Sequence, residues 1–197
     1  MTAEIIAYMA FEQDMKRRME FSLVTQCAPF LKGMRTASVL NVEQVWVGGL
    51  HRLFETTDIS WQILVARKER CLVLFYRKSG LERVLSVREV RQFLKGYGYE
   101  AQALSRSIAR LSMRMNLYVE GKIDFPHELG IFLDYPLEDV RAFIKNGGRK
   151  SIFTGYWKVY HNPGRAHLTF LAYDKAKDSA VNEFLAGKDI SEIVKAG

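Results

Sequence analysis

Phe125-Pro126-His127-Glu128-Leu129-Gly130-Ile131-Phe132-Leu133-Asp134-Tyr135-Pro136-Leu137-Glu138-Asp139-Val140 is the stretch on which the fold reading turns. Leu129 to Leu133 is a short apolar run, which predicts a buried strand. Pro136 and Leu137 open a helix with Glu138 and Asp139 in its first turn, where acids suit the positive end of the helix dipole. Val140, Phe143 and Ile144 give that helix an inner face, and Asn146-Gly147-Gly148 stops it. Ile152 to Tyr160 reads as a second strand, and the connection is long enough for a right-handed parallel crossover. Such a crossover sets His127-Glu128 and the Asn146–Lys150 loop at one end of the sheet. Asp134-Tyr135 and His161-Asn162 fall at the other end, where ligands of open α/β sheets usually lie.

Downstream, Asn162 and Pro163 cap and open a long helix over about 163–186, and Asp189 with Glu192 caps a last short turn. Upstream, residues 101–120 form the clearest amphipathic helix. Leu104, Ile108, Leu111 and Met115 make its apolar face, and Arg106, Arg110 and Arg114 a basic stripe. Ser86 and Glu89 have capping-box spacing for a helix ending near Gly96. Trp61–Ala66 and Cys71–Tyr76, around Arg67-Lys68-Glu69-Arg70, predict a hairpin. Helices are expected over about 42–55 and over 3–24, the latter from Ile5, Met9, Met19 and Leu23 on one face. The sum is an α/β chain of the α+β kind. It has a mixed sheet of about four strands with helices packed against it, in a single domain over residues 1–197.

Composition narrows the function classes. The 197 residues carry a formal net charge of +7, with 48% hydrophobic and 26% charged residues, a globular balance. The basic residues are spread out, without a polybasic tail, which makes nucleic acid an unlikely partner and leaves a small molecule or a protein. Cys27 and Cys71 with four histidines show no metal spacing and no disulfide framework. That absence and the lack of a leader or a long apolar run lead us to expect a cytoplasmic protein away from membranes. No cofactor is indicated.

The 125–140 segment, Phe143-Ile144, Asn146-Gly147-Gly148 and Gly155-Tyr156-Trp157-Lys158-Val159-Tyr160 together resemble a bacterial family catalogued as domain of unknown function 3793. A second block, Cys27-Ala28-Pro29 with Leu31-Lys32-Gly33 and Thr36-Ala37, resembles the same family. The resemblance spans about residues 26–185 and implies a cytosolic bacterial setting, with no activity, substrate or cofactor attached. Relatives often carry His where this chain has Gln26, which removes the partner for a His–Cys pair. They often carry Gly where it has Asp134.

Several residues hold more chemistry than packing asks for. His127 and Glu128 are candidates for general acid–base catalysis, although neighbours on a strand point to opposite faces. Cys27 is a candidate thiol, Lys158 and Tyr160 share one face of the predicted strand, and Asn146 sits in the adjoining loop; these four are candidate ligand-binding residues. Gly147-Gly148-Arg149-Lys150 lacks the spacing of a phosphate loop and follows a helix C-terminus. Three readings stay open: a small-molecule binding protein or enzyme with a pocket near His127-Glu128, an interaction or regulatory module, and a weak nucleic-acid binder using the Arg106 stripe.

Overall fold

Cys71, Val73, Leu74 and Phe75 are all completely buried, and they sit on the central strand of the molecule. The computed structural model describes residue 12, residues 14–100 and residues 103–194. In it β1 (Ala37–Glu43), β2 (Ile59–Ala66) and β3 (Arg70–Arg77) form an antiparallel sheet of order β1-β3-β2. Alternation along β3 sends Cys71, Val73 and Phe75 into one hydrophobic cluster and Leu74 into another, so both faces are covered and the strand reads as a continuous apolar run.

The first face packs on α1 (Met15–Gln26), α2 (Ala28–Leu31), a 3-10 stretch (Gln44–Gly49), α3 (Leu50–Phe54) and later elements. The second face packs on α4 (Lys78–Ser86), α5 (Arg88–Lys95), α6 (Leu104–Val119) and α7 (Leu129–Phe132). After α8 (Leu137–Lys145) a hairpin of two-residue strands, β4 (Phe153–Thr154) and β5 (Lys158–Val159), leads to α9 (Pro163–Leu185) and α10 (Ile190–Ile193). The C-terminal half of α9 returns to the first face through Ala180, Val181 and Phe184. Its N-terminal half packs Ala166 and Phe170 against the hairpin in a third, small cluster.

A bulge at Leu64 fixes how α6 lies on the sheet. The β2–β3 register shifts between Ile63 and Val65. The Leu64 carbonyl turns outward and accepts from Ser112 Oγ and Asn116 Nδ2, each at 2.8 Å. A ladder break that would strand a carbonyl thus becomes the docking point of a helix.

The α+β class holds, while several elements differ from their sequence reading. Leu129–Phe132 is one buried helical turn, so the parallel crossover does not form and the sheet is antiparallel. Ile152–Tyr160 folds back on itself at Gly155-Tyr156-Trp157. Residues 37–43 are a strand that the pattern concealed, which leaves only the second part of 42–55 helical. Ser86 closes α4, donating to the Arg83 carbonyl, and does not cap α5. The predicted 61–76 hairpin, the 104–119 helix and its apolar face, the 163–185 helix and the Asp189–Glu192 capping box are all present. The 3–24 helix is seen from Met15 on; Ile5 and Met9 lie outside the described residues.

Candidate functional site

The chain from Pro126 to Leu133 is two short turns in sequence, with amide bonds from Leu129 to Pro126 and from Leu133 to Leu129. In this coil His127 and Glu128 diverge. Glu128 is wholly buried. One oxygen takes a close charge-assisted bond from Arg114 Nε and a bond from the Tyr99 hydroxyl at 3.2 Å. The Arg114 guanidinium also lies over the Tyr97 ring at 5.2 Å. Burial first, and the Glu128 charge second, push the Tyr99 hydroxyl far above the ordinary phenol range, so it stays a donor at any physiological pH. This knot ties α6 to α7 and holds Glu128 outside the cleft that His127 lines, with its second oxygen buried without a hydrogen-bond partner. The proposed acid–base pair is therefore not assembled: an orienting carboxylate for His127 is missing.

His127 turns the other way, into a cleft of about 300 Å³. Its ring packs against Phe125 at 5.3 Å and Phe143 at 4.9 Å between centroids. Tyr135 and Trp157, tilted at 31° with centroids 5.5 Å apart, and Tyr156 also line it. Leu129, Gly130, Leu133 and Val140 make the floor. Lys158 reaches the same cleft from β5. Its ammonium donates to the Gly148 carbonyl at 2.7 Å and lies 5.8 Å from the centre of the Phe143 ring. Among the described residues no carboxylate pairs with Lys158, and neither ring nitrogen of His127 has a hydrogen-bond partner.

Two glycines set the walls. A Cβ on Gly130 would stand 2.9 Å from Val140 Cγ2 and 3.1 Å from Tyr135 Cδ2. Gly148 has a φ of +71°, and a Cβ there would meet the Phe143 ring at 3.1 Å. The hairpin wall is held by Asp139, which is 3% exposed. Its Oδ2 accepts from Trp157 Nε1 at 2.8 Å, and its Oδ1 accepts from the amides of Tyr160 and His161, each at 2.9 Å. Trp157 then packs edge-on against Phe170 of α9 at 4.5 Å.

Of the sequence candidates, His127 and Lys158 are brought together, both against Phe143. Asn146 donates to the Ala142 carbonyl and finishes α8, beside the cleft but not lining it. Tyr160 does not line the cleft with Lys158: β5 ends at Val159, and the Tyr160 amide turns to Asp139. Its hydroxyl is buried without a partner, and burial raises its pKa. Cys27 lies in the other hydrophobic cluster between α1 and α2, 1% exposed, and burial pushes its thiol up to about 11. A thiol so protonated at neutral pH does not suit nucleophilic work. Cys71 is likewise buried, and both thiols are free.

The Arg stripe is also partly spent. Arg110 donates twice to the Tyr97 carbonyl and Arg114 is committed to Glu128, which leaves Arg106 as its one exposed member. Among the described residues no cluster of three or more His, Cys, Asp or Glu could hold a metal, and no helix is long and apolar enough to cross a membrane. Sequence reasoning missed Asp139 and the aromatic walls. The signal was present, since eight aromatic residues fall within positions 125–160, nearly twice the 12% density of the chain.

Asp134 has a φ of +65°. It tolerates that left-handed backbone by accepting the Thr36 amide at 3.2 Å. No curated protein and no solved structure matches the chain. The sequence model of one family, described as a protein of unknown function (DUF3793), matches residues 23–194, which include every residue of the cleft. The chain belongs to the DUF3793 family.

Proposed function

We propose that this chain is a small-molecule binding protein and that the aromatic cleft is its site, with a planar apolar ligand held between the Phe125–His127–Phe143 wall and the Tyr135–Trp157 wall. One observation carries the reading. Two polar side chains, His127 and Lys158, enter a predominantly apolar and aromatic cleft with unused hydrogen-bonding capacity, which is the usual make-up of a small-ligand pocket. Binding is favoured over catalysis because His127 has no carboxylate to orient it. We place the protein in the bacterial cytoplasm, a setting supported by the family resemblance and two free buried thiols.

Trp157 reports on the cleft directly. In a Trp46→Phe, Trp61→Phe background its emission should shift on titration with bicyclic aromatic probes, and Phe143→Ala should weaken the response. No response to any such probe, or the same response after Phe143→Ala, would overturn the reading.

A further inference from the structure

We infer that the ligand is a monoanion of carboxylate type on a planar apolar body, with Lys158 as its counter-charge; this rests on the cleft being a ligand site. Three groups lining the cleft are able to carry charge: Asp139, His127 and Lys158. Asp139 is almost fully buried, accepts from an indole N–H and two backbone amides, and has the His161 imidazole 3.4 Å from Oδ1, so both its oxygens are already engaged from within the chain. Lys158 is the reverse. One donor is taken by the Gly148 carbonyl, which aims the ammonium across Phe143, and two remain. A half-buried ammonium beside aromatic rings and without a carboxylate is costly unless something answers its charge.

An aromatic box can also hold a cation. Here the protein's own ammonium already stands over Phe143, so a cationic ligand would meet a like charge without compensation. His127 packs on the same ring and has an N–H to donate in either protonation state, a second donor for the second oxygen of a carboxylate. One fixed positive charge and one imidazole match a single negative charge.

The test compares 2-naphthoate with the neutral naphthalene-2-carboxamide by isothermal titration calorimetry at physiological ionic strength, on the wild type, Lys158→Met and Lys158→Arg. The wild type should prefer the acid roughly tenfold or more, the size expected of a hydrogen bond to a charged group. Lys158→Met should bring the ratio to about one, and Lys158→Arg should keep most of the preference. Equal binding of acid and amide by the wild type overturns the anion inference while the site stands. A preference that survives Lys158→Met removes Lys158 from it. Failure of both compounds to bind overturns the site reading together with the inference.

Discussion

His127 and Glu128 are adjacent, yet they belong to regions built on opposite terms. On the Glu128 side the buried charges answer each other: Arg114 meets one oxygen of the carboxylate, and Tyr97 and Tyr99 close around them. On the His127 side the Lys158 ammonium faces aromatic rings and one backbone carbonyl and meets no carboxylate. A charge that finds its partner inside the chain serves folding. A charge held without one stays available to a group from outside, as proposed for Lys158. The contrast makes the two sides separable by mutation.

Glu128→Ala attacks the answered side. It strands the Arg114 charge and removes the acceptor of Tyr99, and should cost about 3–5 kcal/mol in urea unfolding. The double change Glu128→Met with Arg114→Leu should recover much of that loss, because replacing a buried pair is far cheaper than breaking it. A small loss in the single variant would move Glu128 to the idle side and break the comparison.

Gly130→Ala attacks the seam between the regions. The new Cβ must push Val140 or Tyr135 aside, so about 1–3 kcal/mol should be lost through overpacking. Because Tyr135 walls the cleft, the affinity for a bicyclic probe should fall with it. Stability lost with unchanged affinity would show that the Tyr135 wall is not part of the site.

Glu183 extends the answered type to another place. Lys32 at 2.6 Å, Ser179 at 2.8 Å and Lys188 at 3.1 Å surround its carboxylate, and the Lys32 bond above all holds its pKa down to about 2. Its folded value lies below the ordinary 4.5, so the stabilisation is complete above that pH and is lost as the pH falls toward 2. Glu183→Gln should cost about 1 kcal/mol near neutrality, after allowance for solvent screening. The gap between variant and wild type in denaturant midpoints should close through that acid window. A gap that stays constant with pH would mean that the loss is one of packing.

His127→Ala should change stability least, by less than about 1 kcal/mol, because no hydrogen bond inside the described structure depends on the imidazole. Probe binding should nevertheless weaken clearly. A larger loss of stability would place His127 among the answered groups and leave Lys158 to carry the comparison alone.

Legibility in the sequence followed the range of the interactions. Leu104, Ile108, Leu111 and Met115 were plain because a helix on a sheet repeats its apolar face locally. Leu129–Leu133 was opaque: the whole run is buried between layers, so it carries no period to tell a helical turn from a strand. Strand β1 was hidden because its partner lies far along the chain, Ala37 opposite Tyr76, and Ser38 and Asn41 interrupt its apolar run. At the site, His127 and Lys158 stood out by residue type. Asp139 did not, since an acid in a first helical turn already has a local reason to be there; its work on the amides of Tyr160 and His161 exists only once the hairpin has folded back. Phe132 is core in either reading, as strand or as helix.

Asp139 also bears on time. The hairpin wall has only two residues per strand, too few to hold its place alone. Its outer side rests on Phe170 and on the Tyr156–Asp174 bond, and its tie to α8 is one carboxylate gripping an indole and two successive amides. Those three bonds share a single anchor, so they have to be lost together when the wall swings away from α8. Opening is then a concerted event and not a series of side-chain flickers, and the amide protons of Tyr160 and His161 should exchange with solvent in step. Their common exchange rate would then report how often the hairpin wall of the cleft opens.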